Sequence, residues 1–144
     1  MKFSEIKQLK DNLSDLMSSP DWREVLVLAE YGKYDFEVNG VRFIAAHSID
    51  EIQREELLSD LYVLGCFNAS FIASILETDI EAIEAMQGAE AFEGIGKMLA
   101  PHIEKVQEEY SSADGYGHHF NHYDFSEEEM TIAGVNYYVF DNRS

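Results

Sequence analysis

Positive charge is scarce in this sequence: ten Lys and Arg stand against 28 Asp and Glu in 144 residues, a formal net charge of −18. Non-specific binding to nucleic acid is driven mainly by neutralising phosphates with Lys and Arg, so the composition argues against direct contact with DNA or RNA. Cysteine is nearly absent. The single Cys66 cannot form an internal disulfide, and its apolar setting, Val63-Leu64-Gly65-Cys66-Phe67, predicts a buried thiol. No stretch approaches ~18 consecutive apolar residues, so no helix that crosses a membrane is expected. Met1-Lys2-Phe3-Ser4-Glu5 lacks the apolar run of a signal peptide, and the expected location is the cytoplasm, of a cell or of an infected host. A Gly-x-Ser-x-Gly nucleophile elbow is missing. Gly94-Ile95-Gly96-Lys97 lacks the following Ser or Thr and the upstream glycine of a phosphate loop, and reads instead as close helix packing.

What remains is ordinary globular composition, 46% hydrophobic and 12% aromatic, so the acidity does not come from a disordered tail. The length fits one domain, 1–144. Apolar residues at Phe3, Ile6, Leu9, Leu13, Leu16 and Met17 have helical spacing. Ser19 then caps a second helix with Pro20 at its first position, and Gly32 ends it. Asn39-Gly40 is the preferred pair for a two-residue hairpin turn. The register it sets pairs Val38 with Val41, Phe36 with Phe43 and Tyr34 with Ala45, and places Glu37 opposite Arg42 as a charge pair. Ser48-Ile49-Asp50-Glu51 is a capping box opening a helix that Gly65 interrupts. Asn68 and Thr78-Asp79 cap two further helices, and a last helix covers about 89–109 with Pro101 as its kink or boundary. Residues 111–127 read as an ordered loop. Ile132-Ala133-Gly134-Val135 echoes Val38-Asn39-Gly40-Val41 and predicts a second hairpin. The expected fold is α+β: an antiparallel sheet of about four strands from hairpins at 34–46 and 128–141, packed on a multi-helix middle section. In the last strand, Tyr138 and Phe140 point away from Val135, Tyr137 and Val139. One of those faces therefore needs cover from a helix, the loop or a partner chain.

Residues 72–83 overlay on a helix-turn-helix pattern, with Ala73 at the small position, Ile83 on the packing face and Glu77 where such motifs place glycine. The would-be recognition helix holds Asp79, Glu81 and Glu84 and no base, so a helical hairpin serving the core is the better reading. No Lys or Arg occurs between Arg54 and Lys97, and residues 106–142 are also free of them. If the two stretches fold onto one face, Glu77, Asp79, Glu81, Glu84, Glu90, Glu93, Glu127, Glu128 and Glu129 give an acidic surface that suits a basic protein partner. Small size with extreme acidity resembles the DNA-mimic inhibitors encoded by phages and plasmids, a resemblance of composition and not of motif. It implies a non-enzymatic protein, with no cofactor, that occupies a nucleic-acid-binding surface. Glycines and aromatics surround the histidines at 118–122. His118, His122 and Asp124 form the alternative site, for zinc or another transition metal in a metal-dependent hydrolase, since His118 and His122 suit one helix face. A further alternative is an accessory homodimer built through an exposed strand.

Overall fold

The computed structural model describes residue 11, residues 19–122 and residues 125–142. Apart from Asp11, the amphipathic stretch expected at 3–17 lies outside the described residues, as does Asp124. The chain runs through α1 (Ser19–Glu30), β1 (Asp35–Val38), β2 (Val41–Ala45), α2 (Ile49–Leu58), α3 (Leu61–Leu64), α4 (Ala69–Leu76), α5 (Ile80–Gly88), α6 (Phe92–Leu99), a 3₁₀ turn (Ala100–His102), α7 (Ile103–Phe120), β3 (Glu128–Ile132) and β4 (Val135–Asp141). The fold is α+β, with one antiparallel four-stranded sheet in the order β1-β2-β4-β3. Two compact units divide the chain: one joins the residues up to Ile49 with those from Asp114 on, and the other is Asp50–Ala113. Among the described residues no helix is long and apolar enough to cross a membrane.

The sheet unit follows from its turns. Asn39 and Gly40 take φ 49 and 80, and Ala133 and Gly134 take φ 52 and 79. These are the paired left-handed conformations of a type I′ turn, whose twist matches the strands it joins. The first hairpin has the expected register, Val38↔Val41 through Phe36↔Phe43, and Ala45 N–H donates to the Tyr34 carbonyl at 2.7 Å. The second pairs Ile132 with Val135, and β2 joins the hairpins by pairing Phe43 with Val139. Val25 and Ala29 of α1 share a buried cluster with Val38, Val41, Phe43, Tyr137 and Val139 on one face. Fully burying side chains of this kind stabilises by ~1.5–3 kcal/mol each.

The opposite face is also covered. Phe120 packs on Phe140 at 5.2 Å between ring centroids, and Tyr116 on Tyr138 at 5.0 Å. That cover comes from the segment expected to be a loop, which is helical as far as Phe120. Nothing in Ser111–Asp114 opposes a helix, and the break comes only at Gly115 (φ 75, ψ 170). Beyond it the Glu127 carboxylate accepts the Tyr116 N–H at 2.7 Å and the Gly117 N–H at 3.3 Å, so helix-end donors freed by the break find an acceptor.

Arg42 departs from expectation. It stands opposite Glu37 in register, yet its guanidinium forks onto Asp35, Nε to Oδ1 at 2.9 Å and Nη2 to Oδ2 at 2.8 Å. Asp35 is the diagonal neighbour on the same face, within reach of a long side chain, and there Arg42 also lies over the Phe120 ring at 5.2 Å.

The helical unit has its own core, including Leu57, Leu64, Ile72, Ile75, Ile83, Ile95, Leu99 and Val106. Asn68 caps α4 as expected, its side chain accepting the Ser70 N–H at 2.8 Å. Pro101 falls in the 3₁₀ turn that separates α6 from α7. α2 starts where the capping box places it, with the Ser48 hydroxyl joined to His47 Nδ1 at 2.7 Å. Cys66 is exposed, contrary to expectation. Leu64 and Gly65 take the inward positions, and Cys66 follows Gly65 in the turn that ends the helix.

Candidate partner-binding surface

Between the acids of residues 77–93, Ile83 turns inward while Ile80 stays 37% exposed beside them. α4 buries Ile72, Ala73 and Ile75, and α5 buries Ile83, so the helix-turn-helix pattern here packs a core. Glu77, Asp79, Glu81, Glu84, Glu90 and Glu93 are all exposed.

Two of these acids occupy unusual backbone. α4 ends with Glu77 in the left-handed region (φ 54, ψ 49), and the Thr78 N–H returns to the Ala73 carbonyl at 3.0 Å. α5 ends the same way, with Glu90 at φ 60 and the Ala91 N–H on the Met86 carbonyl at 2.9 Å. This is the helix-ending geometry in which glycine is the common residue, because a β-carbon costs about 1 kcal/mol there. A glutamate stands in that place at both ends of the acidic segment. Asp79 takes the N-cap position of α5 without a side-chain capping bond. Its carboxylate is not spent on the helix end. Glu93 meets Lys97 across one helical turn at 3.9 Å, with both side chains 67% exposed. A pair so exposed contributes little to stability.

Glu127, Glu128 and Glu129 belong to the sheet unit. Glu127 holds the Tyr116 and Gly117 amides, and Glu129 accepts from Asn136 Nδ2 at 3.3 Å. Glu128 is exposed on the edge strand β3. Glu127 and Glu129 thus have structural partners that composition did not reveal.

His118 and His122 are exposed and His119 is half-buried. α7 ends at Phe120, before His122, so His118 and His122 do not share a helix face. The His118 ring packs against Phe125 at 5.2 Å, His119 against Phe120 at 4.6 Å, and the His122 N–H donates to Asn142 Oδ1 at 3.0 Å. Among the described residues no group of three or more His, Cys, Asp or Glu is placed to hold a metal ion, and Asp124 lies outside them.

Two arrangements carried no sequence signal. Gln107, 1% exposed, donates through Nε2 to Asp50 Oδ1 at 2.8 Å and Gln53 Oε1 at 3.0 Å, and accepts from Arg54 Nε at 3.2 Å. Tyr62, 54% exposed, sets its ring edge-on to Phe92 with centroids 5.1 Å apart. Comparison with protein-family models, curated proteins and solved structures gives no match to this chain.

Proposed function

We propose that this protein acts by binding and not by catalysis: the acidic surface of α4, α5 and α6 occupies the nucleic-acid-binding site of a basic protein and competes with the nucleic acid. The observation that carries this reading is the pair of glutamates in left-handed helix-ending positions. A solvated surface with no partner would favour glycine at both, since glycine removes backbone strain and a like charge together. Keeping carboxylates at Glu77 and Glu90 sacrifices stability for charge at fixed points, the kind of local conflict expected where a surface has a task. The segment between Arg54 and Lys97 has no base to oppose a cationic partner.

The test is a pulldown from the native host with the intact chain as bait, eluted with a salt gradient and with duplex and single-stranded DNA. The reading expects a basic, nucleic-acid-binding protein that leaves at moderate salt and is displaced by DNA. Retention that ignores both salt and DNA, or no capture, contradicts it.

A further inference from the structure

We propose that Tyr62, backed by Phe92, is a stacking platform for an arginine of the partner, so that the protein offers a stand-in for a nucleic-acid base beside its stand-ins for phosphates. This inference rests on the reading of the acidic surface given above and names the chemistry of the partner's contact.

Tyr62 and Val63 are consecutive residues of α3, 54% and 52% exposed. Large apolar side chains left this open on a well-packed unit suit an interface, and of the two it is Tyr62 whose ring is held against a neighbour. The face is also rigid. The Asp60 side chain caps α3 by accepting the Val63 N–H at 3.2 Å, and α3 lies against α6 at backbone distance through Gly65 and Gly96. The Tyr62 ring meets Phe92 at an interplanar angle of 62°, so its orientation is set before any partner arrives. A fixed aromatic loses little conformational freedom on binding, which is why tyrosine anchors so many interfaces.

Charge complementarity selects the occupant. Asp60 lies two residues before Tyr62, and Glu90 and Glu93 bracket Phe92; all three acids are exposed. An apolar partner covering the face would strip water from those carboxylates without pairing them. A lysine would pair the carboxylates but makes poor use of the ring face. The arginine guanidinium does both: it is planar, stacks on an aromatic ring, and forks its N–H donors to carboxylates. Proteins that bind single-stranded nucleic acid place arginine and aromatic side chains where bases stack, so such a surface carries the matching group.

The experiment compares fluorescently labelled octa-arginine and octa-lysine peptides by anisotropy, at about 50 and 200 mM salt, a range over which phosphate-like contacts weaken strongly. Octa-arginine is expected to bind the intact protein about three-fold tighter than octa-lysine. Tyr62→Leu should bring that ratio close to one, and Tyr62→Phe should keep it, with circular dichroism melting confirming the fold of each. Tyr62→Gln provides a second variant lacking the ring. No arginine preference in the wild type, or a preference that survives loss of the ring, overturns the platform. Salt-sensitive binding of both peptides would in that case leave the acidic surface standing. Binding of neither peptide overturns both.

Discussion

Gly65 and Gly96 lie on facing sides of one helix crossing, each beneath a carbonyl of the other helix. A β-carbon on Gly65 would stand 1.9 Å from the Phe92 oxygen, and one on Gly96 would stand 1.9 Å from the Leu61 oxygen. Backbone, not a movable side chain, blocks both positions. Alanine at either should cost about 2–3 kcal/mol, read as a lower urea midpoint. Gly94, two residues before Gly96, has open space where its β-carbon would be. Gly94→Ala should raise stability by up to about 1 kcal/mol through helix propensity alone. Equal effects at Gly94 and Gly96 would contradict the crossing.

The fork from Arg42 to Asp35 separates two acids that look alike in sequence. A double-mutant cycle between Arg42 and Asp35 should give a coupling of about 1 kcal/mol, at the upper end for partly exposed pairs because the contact is bidentate. The same cycle with Glu37 should give close to zero. The measurement is chemical unfolding of the single and double variants.

Tyr137 gives the fold a limit at high pH. Its ring is 1% exposed, its hydroxyl donates to the Lys33 carbonyl at 2.6 Å, and burial raises its pKa above the ordinary 10.0. A raised folded-state pKa means that the neutral form is favoured in the fold. Its contribution is whole below about pH 10 and is lost as pH rises through the folded value. Tyr137→Phe should lose about 1 kcal/mol at neutral pH by removing the hydrogen bond. It should also flatten the fall in melting temperature above pH 10. An unchanged alkaline profile would contradict this role.

Glu77→Gly and Glu90→Gly should each raise stability by about 1 kcal/mol, since glycine relieves the left-handed backbone. Thermal melting of each variant checks this. Destabilisation instead would mean that these carboxylates hold the fold, and would remove the argument that they serve a partner.

Local grammar made much of the fold legible. Asn39-Gly40 fixed a turn and therefore a register, and Ala133-Gly134 repeated it. Asn68 and Pro101 marked helix boundaries because each acts on its own backbone neighbours, and Asp79 marked one by its N-cap position without a capping bond. Features that depend on distant partners were not legible. Glu127 restarts the helix eleven residues upstream, which no spacing rule around Gly115 announces. Arg42 pairs with the diagonal Asp35 and lies over Phe120, a residue far away in the sequence. Cys66 is exposed because Gly65 takes the inward position of a crossing that sequence only hinted at through Gly96. Of the candidate surface, the charge was plain from the sequence; the left-handed backbone was hinted at for Glu77, which stands where the helix-turn-helix pattern places glycine, and had no signal at Glu90.

The most direct test of the central claim is the salt dependence of affinity for the partner captured from the host. It is measured with the wild type and with a chain carrying Glu77→Gln, Glu81→Gln, Glu84→Gln and Glu90→Gln together. The wild type should show log affinity falling steeply and linearly with log salt, and nucleic acid should compete for the same site. The neutralised chain should stay folded, bind at least ten-fold more weakly (about 1.4 kcal/mol) and show a shallower slope. Equal affinity and equal slope for the two chains would contradict the claim that these carboxylates form the docking surface.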